Sequence, residues 1–307
     1  MMGDSFEAYR PKLFAVAYRM LGSASEAEDA VQDAWLRYAT SERSDVRSPE
    51  AFLTTIVTRL CLDRLKSARA SREQYVGPWL PEPILTDERP GPETAAALAE
   101  SVSLAFMVLL ETLSPEERAA FLLREVFEYD SREIGDMLKV SPENARQLVH
   151  RAKTRLGDRR AHVRATTVDH DRKRSIVERF AAALRDGDKD ALTEVLADDV
   201  VLVSDGGGKV SAARRPLVGR AEVLGLLMGI RRIATSEGID LNRIRLDVVD
   251  VNGDPAVSIR IDGRVDSIYT CSFDGEAISA FRIVRNPDKL QYIGRQLIAD
   301  SGSRSAD

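Results

Sequence analysis

The sequence predicts a multidomain chain of two all-α segments followed by an α+β domain. Three observations carry this. Apolar residues recur at the 3.6-residue helical period through residues 6–71 and again through 93–164. Five of the twelve prolines, Pro78, Pro81, Pro83, Pro90 and Pro92, fall between those two stretches. After Thr166, short β-rich runs alternate with turn signals such as Asn252-Gly253, Asp262-Gly263 and Asp274-Gly275.

The first segment, Phe6 to Ser71, reads as three helices. Phe6, Leu13, Ala17, Met20 and Leu21 mark one apolar face, which Gly22 ends. Ser25-Glu26-Ala27-Glu28 is a capping box opening the second helix. Its apolar positions are Ala27, Val31, Ala34, Trp35 and Tyr38. Ser48-Pro49-Glu50 starts the third, which runs through Phe52, Leu53, Ile56, Leu60 and Leu65 into a basic end. Residues 75–92 then form a semi-rigid, proline-rich linker.

The second segment contains two helices, one of them opening at Ser114, and then, from Ser131 to Leu156, a helix-turn-helix. Ile134, Met137 and Leu138 form one apolar face, and Lys139-Val140-Ser141 is a short break. Ser141 caps the next helix, with Pro142 at its first position and Glu143 at the positive end of the dipole. Ala145, Leu148, Val149, Ala152 and Leu156 form one stripe. Opposite it lie Gln147, His150 and Thr154, flanked by Arg146 and Arg151. Guanidinium and amide groups on an outer helix face match base edges and phosphates of a DNA major groove.

A helix over Arg172–Arg185 opens the third segment. Strands follow at Val200–Val203, Arg243–Val251, Ala256–Ile261, Ile268–Phe273 and Ala277–Val284, spaced as an antiparallel meander. Helices followed by a curved sheet imply an α+β cone. The polar tail from Ser301 to Asp307 is expected to be disordered. The boundaries are therefore 1–74, 75–92, 93–165, 166–300 and 301–307.

Composition narrows the function classes. With 307 residues, 44% hydrophobic and 30% charged, the chain is of soluble globular type. No apolar run approaches the roughly 18 residues of a membrane span, and the first residues lack the features of a signal peptide. Cys61 and Cys271 fall in different segments, which indicates neither a disulfide framework nor a zinc site and fits a reducing cytoplasm. Net charge is −5, yet Arg146–Arg164 holds seven Arg or Lys and one acid, Asp158. A basic reader sits in an acidic body, so other contacts must bring it to DNA.

With these residues in view, the chain resembles a bacterial extracytoplasmic-function (ECF) sigma factor. Ala27-Glu28-Asp29-Ala30-Val31-Gln32-Asp33-Ala34-Trp35-Leu36-Arg37 looks like the region 2.2 helix that docks on core RNA polymerase. Leu113-Ser114-Pro115-Glu116-Glu117-Arg118-Ala119, Glu133-Ile134-Gly135 and Ala145-Arg146-Gln147 with His150-Arg151-Ala152 look like region 4. The extra C-terminal residues resemble the SnoaL-like cone fused to one ECF subgroup. Trp79-Leu80-Pro81-Glu82-Pro83, Asp205-Gly206-Gly207-Gly208-Lys209 and Asn286-Pro287-Asp288-Lys289-Leu290 carry that narrower match.

The resemblance implies a fold of two all-α sigma domains plus a SnoaL/NTF2-like cone. It implies core polymerase and promoter DNA as partners, and site residues in four groups. Arg146, Gln147, His150 and Arg151 would read the −35 element, with Lys153 and Arg155 on phosphates. The loop carrying Arg43, Asp45 and Arg47, with Arg59, Arg64 and Lys66 of the following helix, would hold the −10 element. Glu28, Asp29, Gln32, Asp33, Trp35 and Leu36 would face the polymerase. The regulatory group is Trp79, Leu80, Pro81, Asp205, Gly206, Gly207, Lys209, Asn286, Pro287, Asp288 and Lys289, through which the cone would act on the linker. No cofactor, metal or membrane is expected, and a monomer is expected for the free chain. The cone leaves an unidentified small ligand open.

Two other readings compete. A ligand-sensing regulator acting without polymerase would need no polymerase-docking helix. An enzyme with a DNA-binding appendage would need a convergent acid and base. His150, His162 and His170, the only histidines, all fall outside the predicted cone.

Overall fold

The computed structural model describes residues 6–40, 48–86, 103–165, 169–236, 240 and 243–304. The chain folds as two compact units. One combines Met1–Gln74 with Met107–Arg160, the other Tyr75–Phe106 with Ala161–Asp307. The described part of the proline-rich stretch, residues 75–86, therefore packs with the C-terminal domain.

In the first unit, α1 (Arg10–Leu21), α2 (Ala24–Thr40) and α3 (Pro49–Glu73) pack on one another. Leu13, Ala17, Met20, Val31, Leu53 and Val57 are buried between them. Gly22 ends α1 in the left-handed region (φ 69°). The cap of α2 lies two residues earlier than expected. Ser23, not Ser25, accepts from Glu26 N at 3.2 Å, while Ser25 Oγ lies 3.1 Å from Ser23 Oγ. The turn at Gly22 places Ser23 at the helix start, and Glu28 pairs with Arg10.

The helices α4 (Leu104–Leu110), α5 (Pro115–Glu125), α6 (Ser131–Leu138) and α7 (Pro142–Ala165) follow. Capping boxes of Ser114 with Glu117 and of Asp130 with Glu133 start α5 and α6. Ser141 Oγ accepts from Asn144 N at 3.1 Å at the start of α7. Ala120, Leu123, Tyr129, Ile134, Met137, Ala145 and Leu148 form the helix-turn-helix core. The turn needs Gly135: a Cβ there would lie 2.7 Å from Val140 O and 3.3 Å from Pro142 N. The helical path of α7 breaks at Gly157 (φ 41°, ψ −140°), just past the apolar stripe.

In the second unit, α8 (His170–Asp186) and α9 (Lys189–Val195) lead into β1 (Leu196–Asp205) and β2 (Leu217–Val218). Then come α10 (Arg220–Ser236), β3 (Ile244–Val251), β4 (Asp254–Ile261), β5 (Arg264–Asp274), β6 (Ala277–Val284) and α11 (Pro287–Arg304). The six strands form one sheet in the order β2-β1-β6-β5-β4-β3. The antiparallel meander holds from β3 to β6, but β1 joins β6 in parallel. The long excursion through β2 and α10 permits this, since parallel neighbours need a crossover rather than a hairpin. The core runs from Val177 and Phe180 of α8 through Val223 and Leu227 of α10 to Tyr269 and Phe281 of the sheet.

Two expectations are corrected. His170 belongs to this domain as the first residue of α8, because the helix starts two residues before Arg172. The helix α11 continues through Ser301 to Arg304, so the expected disordered tail does not begin at Ser301. Burial of Leu290, Ile293 and Leu297 anchors that helix, and adding residues to a formed helix costs little. Residues 305–307 lie outside the described range.

Candidate functional site

The outer face of α7 presents the expected set. Arg146, Gln147, His150, Arg151, Lys153 and Arg155 are all exposed, while Ala145, Leu148, Ala152 and Leu156 are buried beneath them. The charges are not equally available. Lys153 Nζ lies 2.7 Å from Glu125, and Arg155 lies 2.9 Å from Glu117, whose side chain is 5% exposed. Glu117 also accepts from Ser114 N at 3.1 Å, so one carboxylate caps α5 and steadies α7. Arg151 stands 3.9 Å from the same carboxylate. Arg146 and Gln147 face solvent at the beginning of α7, where a groove-inserted helix meets base edges.

A second neighbourhood lies on α2 and α3. Leu36 is 56% exposed, an unusual position for a large apolar side chain beside the exposed Asp29 and Gln32. Trp35 is half-buried, its ring 4.7 Å from Phe6 and 6.2 Å from Tyr38. A groove of about 300 Å3 beside it is lined by Phe6, Arg10, Glu28, Val31 and Trp35. Glu28 pairs with Arg10, and Asp33 with Arg64 at 2.8 Å. The free anionic character of this face thus rests on Asp29.

The loop residues Arg43, Asp45 and Arg47 lie outside the described residues. Of the expected site residues, the three on α3 are described, and all are engaged. Arg59 donates to the carbonyls of Asp136 and Met137. Arg64 donates to Glu26 O at 2.6 Å as well as to Asp33, and Lys66 stands 3.0 Å from Glu116.

The third neighbourhood joins the three short motifs within the second unit. Asp205, at the end of β1, is wholly buried. Its Oδ1 accepts from Tyr75 Oη at 2.5 Å and from Gly207 N at 3.0 Å. Its Oδ2 accepts from Leu80 N at 2.8 Å and from Lys289 Nζ at 2.7 Å. Lys289 also donates to Leu80 O and stands 4.1 Å above the Trp79 ring. A buried carboxylate and ammonium thus satisfy each other and a linker backbone. Asn286 Nδ2 donates to Tyr75 Oη at 2.8 Å, while its Oδ1 caps α11 at Asp288 N, 3.1 Å away.

Gly207 (φ +59°) makes this approach possible, since a Cβ there would lie 2.3 Å from Asn286 Nδ2. A Cβ at Gly206 would lie 2.5 Å from Val210 O. Pro81 is buried, Pro287 is exposed, and Lys209 pairs with Asp288 at the surface. Burial and the adjoining Asp205 carboxylate raise the Tyr75 hydroxyl above its ordinary pKa, so it acts as a donor.

Sequence reasoning missed Tyr75, whose signal was only its place before the motif. It also missed a second attachment. Leu85 bridges to Val251 at the edge of β3. Thr86 N donates to Asp250 O at 3.0 Å, and Asn252 N donates to Ile84 O at 3.0 Å. The buried Asp250 carboxylate in turn holds Arg174 at 2.6 Å and His170 Nε2 at 2.9 Å. No group of three metal-ligating side chains occurs among the described residues. No helix among them is long and apolar enough to cross a membrane.

Comparison with known proteins gives two family matches: Sigma-70 region 2 over residues 5–71 and Sigma-70 region 4 over residues 103–156. The ECF RNA polymerase sigma factor SigJ of Mycobacterium tuberculosis is 39% identical over 229 residues, 74% of this chain and 72% of that one. A probable ECF sigma factor of the same organism, SigI, is 28% identical across 95% of this chain and 96% of its own. The crystal structure of M. tuberculosis SigJ aligns with a TM-score of 0.72 at 31% identity, covering 94% of this chain and 98% of that one.

Proposed function

We propose a division of labour on one premise: the chain belongs to the ECF group of RNA polymerase sigma factors. It is a transcription initiation factor with two helical sigma domains and a C-terminal SnoaL-like domain. The regulator acting without polymerase fits less well, because a Sigma-70 region 2 match spans the first helical segment.

In our reading, Leu36 is the apolar anchor on core polymerase, with Trp35 as the wall of the adjoining groove. Arg146, Gln147 and His150 read the −35 element. Arg151, Lys153 and Arg155 approach phosphates, the last two while braced by Glu117 and Glu125. Arg59, Arg64 and Lys66, with the loop carrying Arg43, Asp45 and Arg47, hold the −10 strand in the cytoplasm, where polymerase works. The observation that supports this best is the α7 face. Polar groups suited to base edges stand exposed on a helix whose other side is a packed helix-turn-helix core.

The C-terminal domain acts in cis through the linker. Support comes from the node at Asp205, which ties Tyr75, Leu80 and Lys289 together. Because the same stretch joins the two helical segments in sequence, altering its attachment alters their freedom.

Run-off transcription with added core polymerase tests the reading. Leu36→Asp should abolish run-off product and co-elution with core polymerase while leaving the fold intact. Trp79→Ala, or removal of residues from Asn286 onward, should change promoter activity without changing which promoter is used. Unchanged activity in both would remove the C-terminal domain from regulation.

A further inference from the structure

The buried stripe of α7 fixes the direction in which that helix faces outward. At about 100° per residue, the direction opposite Ala145, Leu148, Ala152 and Leu156 is occupied by Glu143, Gln147, His150 and Thr154, each within about 40° of it. All four are exposed. Thr154 turns its hydroxyl back to His150 O at 3.0 Å, so the other three supply the outward polar groups. The cations stand to either side of this line. Arg146 and Lys153 lie on one flank, Arg151 and Arg155 on the other. A helix in a groove presents its outermost line to base edges and its flanks to the phosphate walls. The outermost line of α7 holds no Arg or Lys, and it opens with an acid.

Other acids around α7 neutralise its cations. Glu117 meets Arg151 and Arg155, and Glu125 meets Lys153. Glu143 meets no cation among the described residues. A first-turn carboxylate favours the helix dipole wherever on the turn it stands. On the groove-facing line it also meets DNA, and there its chemistry is selective, because a carboxylate only accepts hydrogen bonds. In the major groove guanine offers N7 and O6, and thymine offers O4, all of them acceptors that repel it. Adenine sets its N6 donor beside the N7 acceptor, a pattern suited to an amide such as that of Gln147. Cytosine offers the N4 donor alone.

We infer that Glu143 is a specificity-determining residue, whose carboxylate accepts from the N4 amino group of a cytosine in the −35 element and disfavours the other bases there. Gln147 lies one turn further on, about 6 Å along the axis, so the base it reads is within two base pairs of that cytosine. This rests on reading α7 as the −35 helix, and the experiment separates the two ideas.

Holoenzyme made from the full chain and core polymerase selects duplexes from a pool randomised across the promoter region, and the bound sequences are aligned. The parent should prefer cytosine at one −35 position by about tenfold over the other bases. Glu143→Ala should lose that preference at this position alone, and Glu143→Gln should admit adenine there. A carboxylate serving only the helix dipole would weaken binding to all sequences alike when removed. That result, unchanged sequences with Glu143→Ala, or a parent without any cytosine preference overturns the inference. Arg146→Ala and Gln147→Ala are selected in parallel. If they alter the preference at their own positions while Glu143→Ala does not, only the role of Glu143 falls. If none of these variants alters any position, the reading of α7 as the −35 helix falls with it.

Discussion

The α7 face and the Asp205 node use the same charged chemistry under opposite conditions. Arg146 stands exposed to water on α7. Asp205 is sealed from water with four donors on its two oxygens, and the linker motif and both C-terminal motifs converge on it. A charge left in solvent is available to an outside partner. A charge enclosed with its counter-ion holds segments of the same chain together, because removing one member strands the other. The cations of α3 lie between these cases, partly exposed yet already bonded within the unit.

That contrast can be broken experimentally. Asp205→Ala should have the largest effect, lowering the stability of the second unit by about 3–5 kcal/mol through the stranded Lys289 ammonium. Urea titration of the full chain checks this, and a midpoint equal to the parent's would end the comparison. Gly207→Ala should cost about 1–3 kcal/mol by the same measurement, because its Cβ must displace the Asn286 amide at a positive φ. Arg146→Ala should leave the urea midpoint unchanged but weaken holoenzyme binding to its promoter by about 1–3 kcal/mol and relax specificity at one position. Ser114→Ala removes the cap of α5 and should cost about 1 kcal/mol of first-unit stability. Lys153→Ala should be the mildest, reducing the salt dependence of promoter binding by at most about one unit. Its pair with Glu125 lies at the surface, so the accompanying stability change should stay within about 0.5 kcal/mol.

Much of the helical architecture was legible because its causes are local. Ser114 with Glu117, Ser141 with Pro142, and the stripe from Ala145 to Leu156 specify helix starts and faces within a few residues of each other. The strands β3 to β6 were legible for a similar reason, since Asn252-Gly253, Asp262-Gly263 and Asp274-Gly275 mark the hairpin turns. The helices α9, α10 and α11 and the short β2 were not read in advance. In α10, Gly225 and Gly229 interrupt the helical pattern, while Leu224 and Leu227 still bury against the sheet. At the site, the exposed residues of α7 followed from periodicity alone. The pairing of Arg155 with Glu117, or of Asp33 with Arg64, did not, because a charge pattern states which side of a helix is wet but names no partner.

By itself, then, the amino-acid order determined the main helices of the two sigma segments, the starts of α5 and α7, which face of α7 is polar and which family motifs are present. Those properties arise from neighbours three or four positions apart, the reach of a backbone hydrogen bond or a helical turn. Only the tertiary structure decided that Asp205 meets Lys289, 84 residues away, that Arg59 reaches Met137, 78 residues away, and that β1 lies parallel to β6. Such contacts depend on how whole elements pack, and burial then makes each one either strongly stabilising or unavailable to an outside ligand.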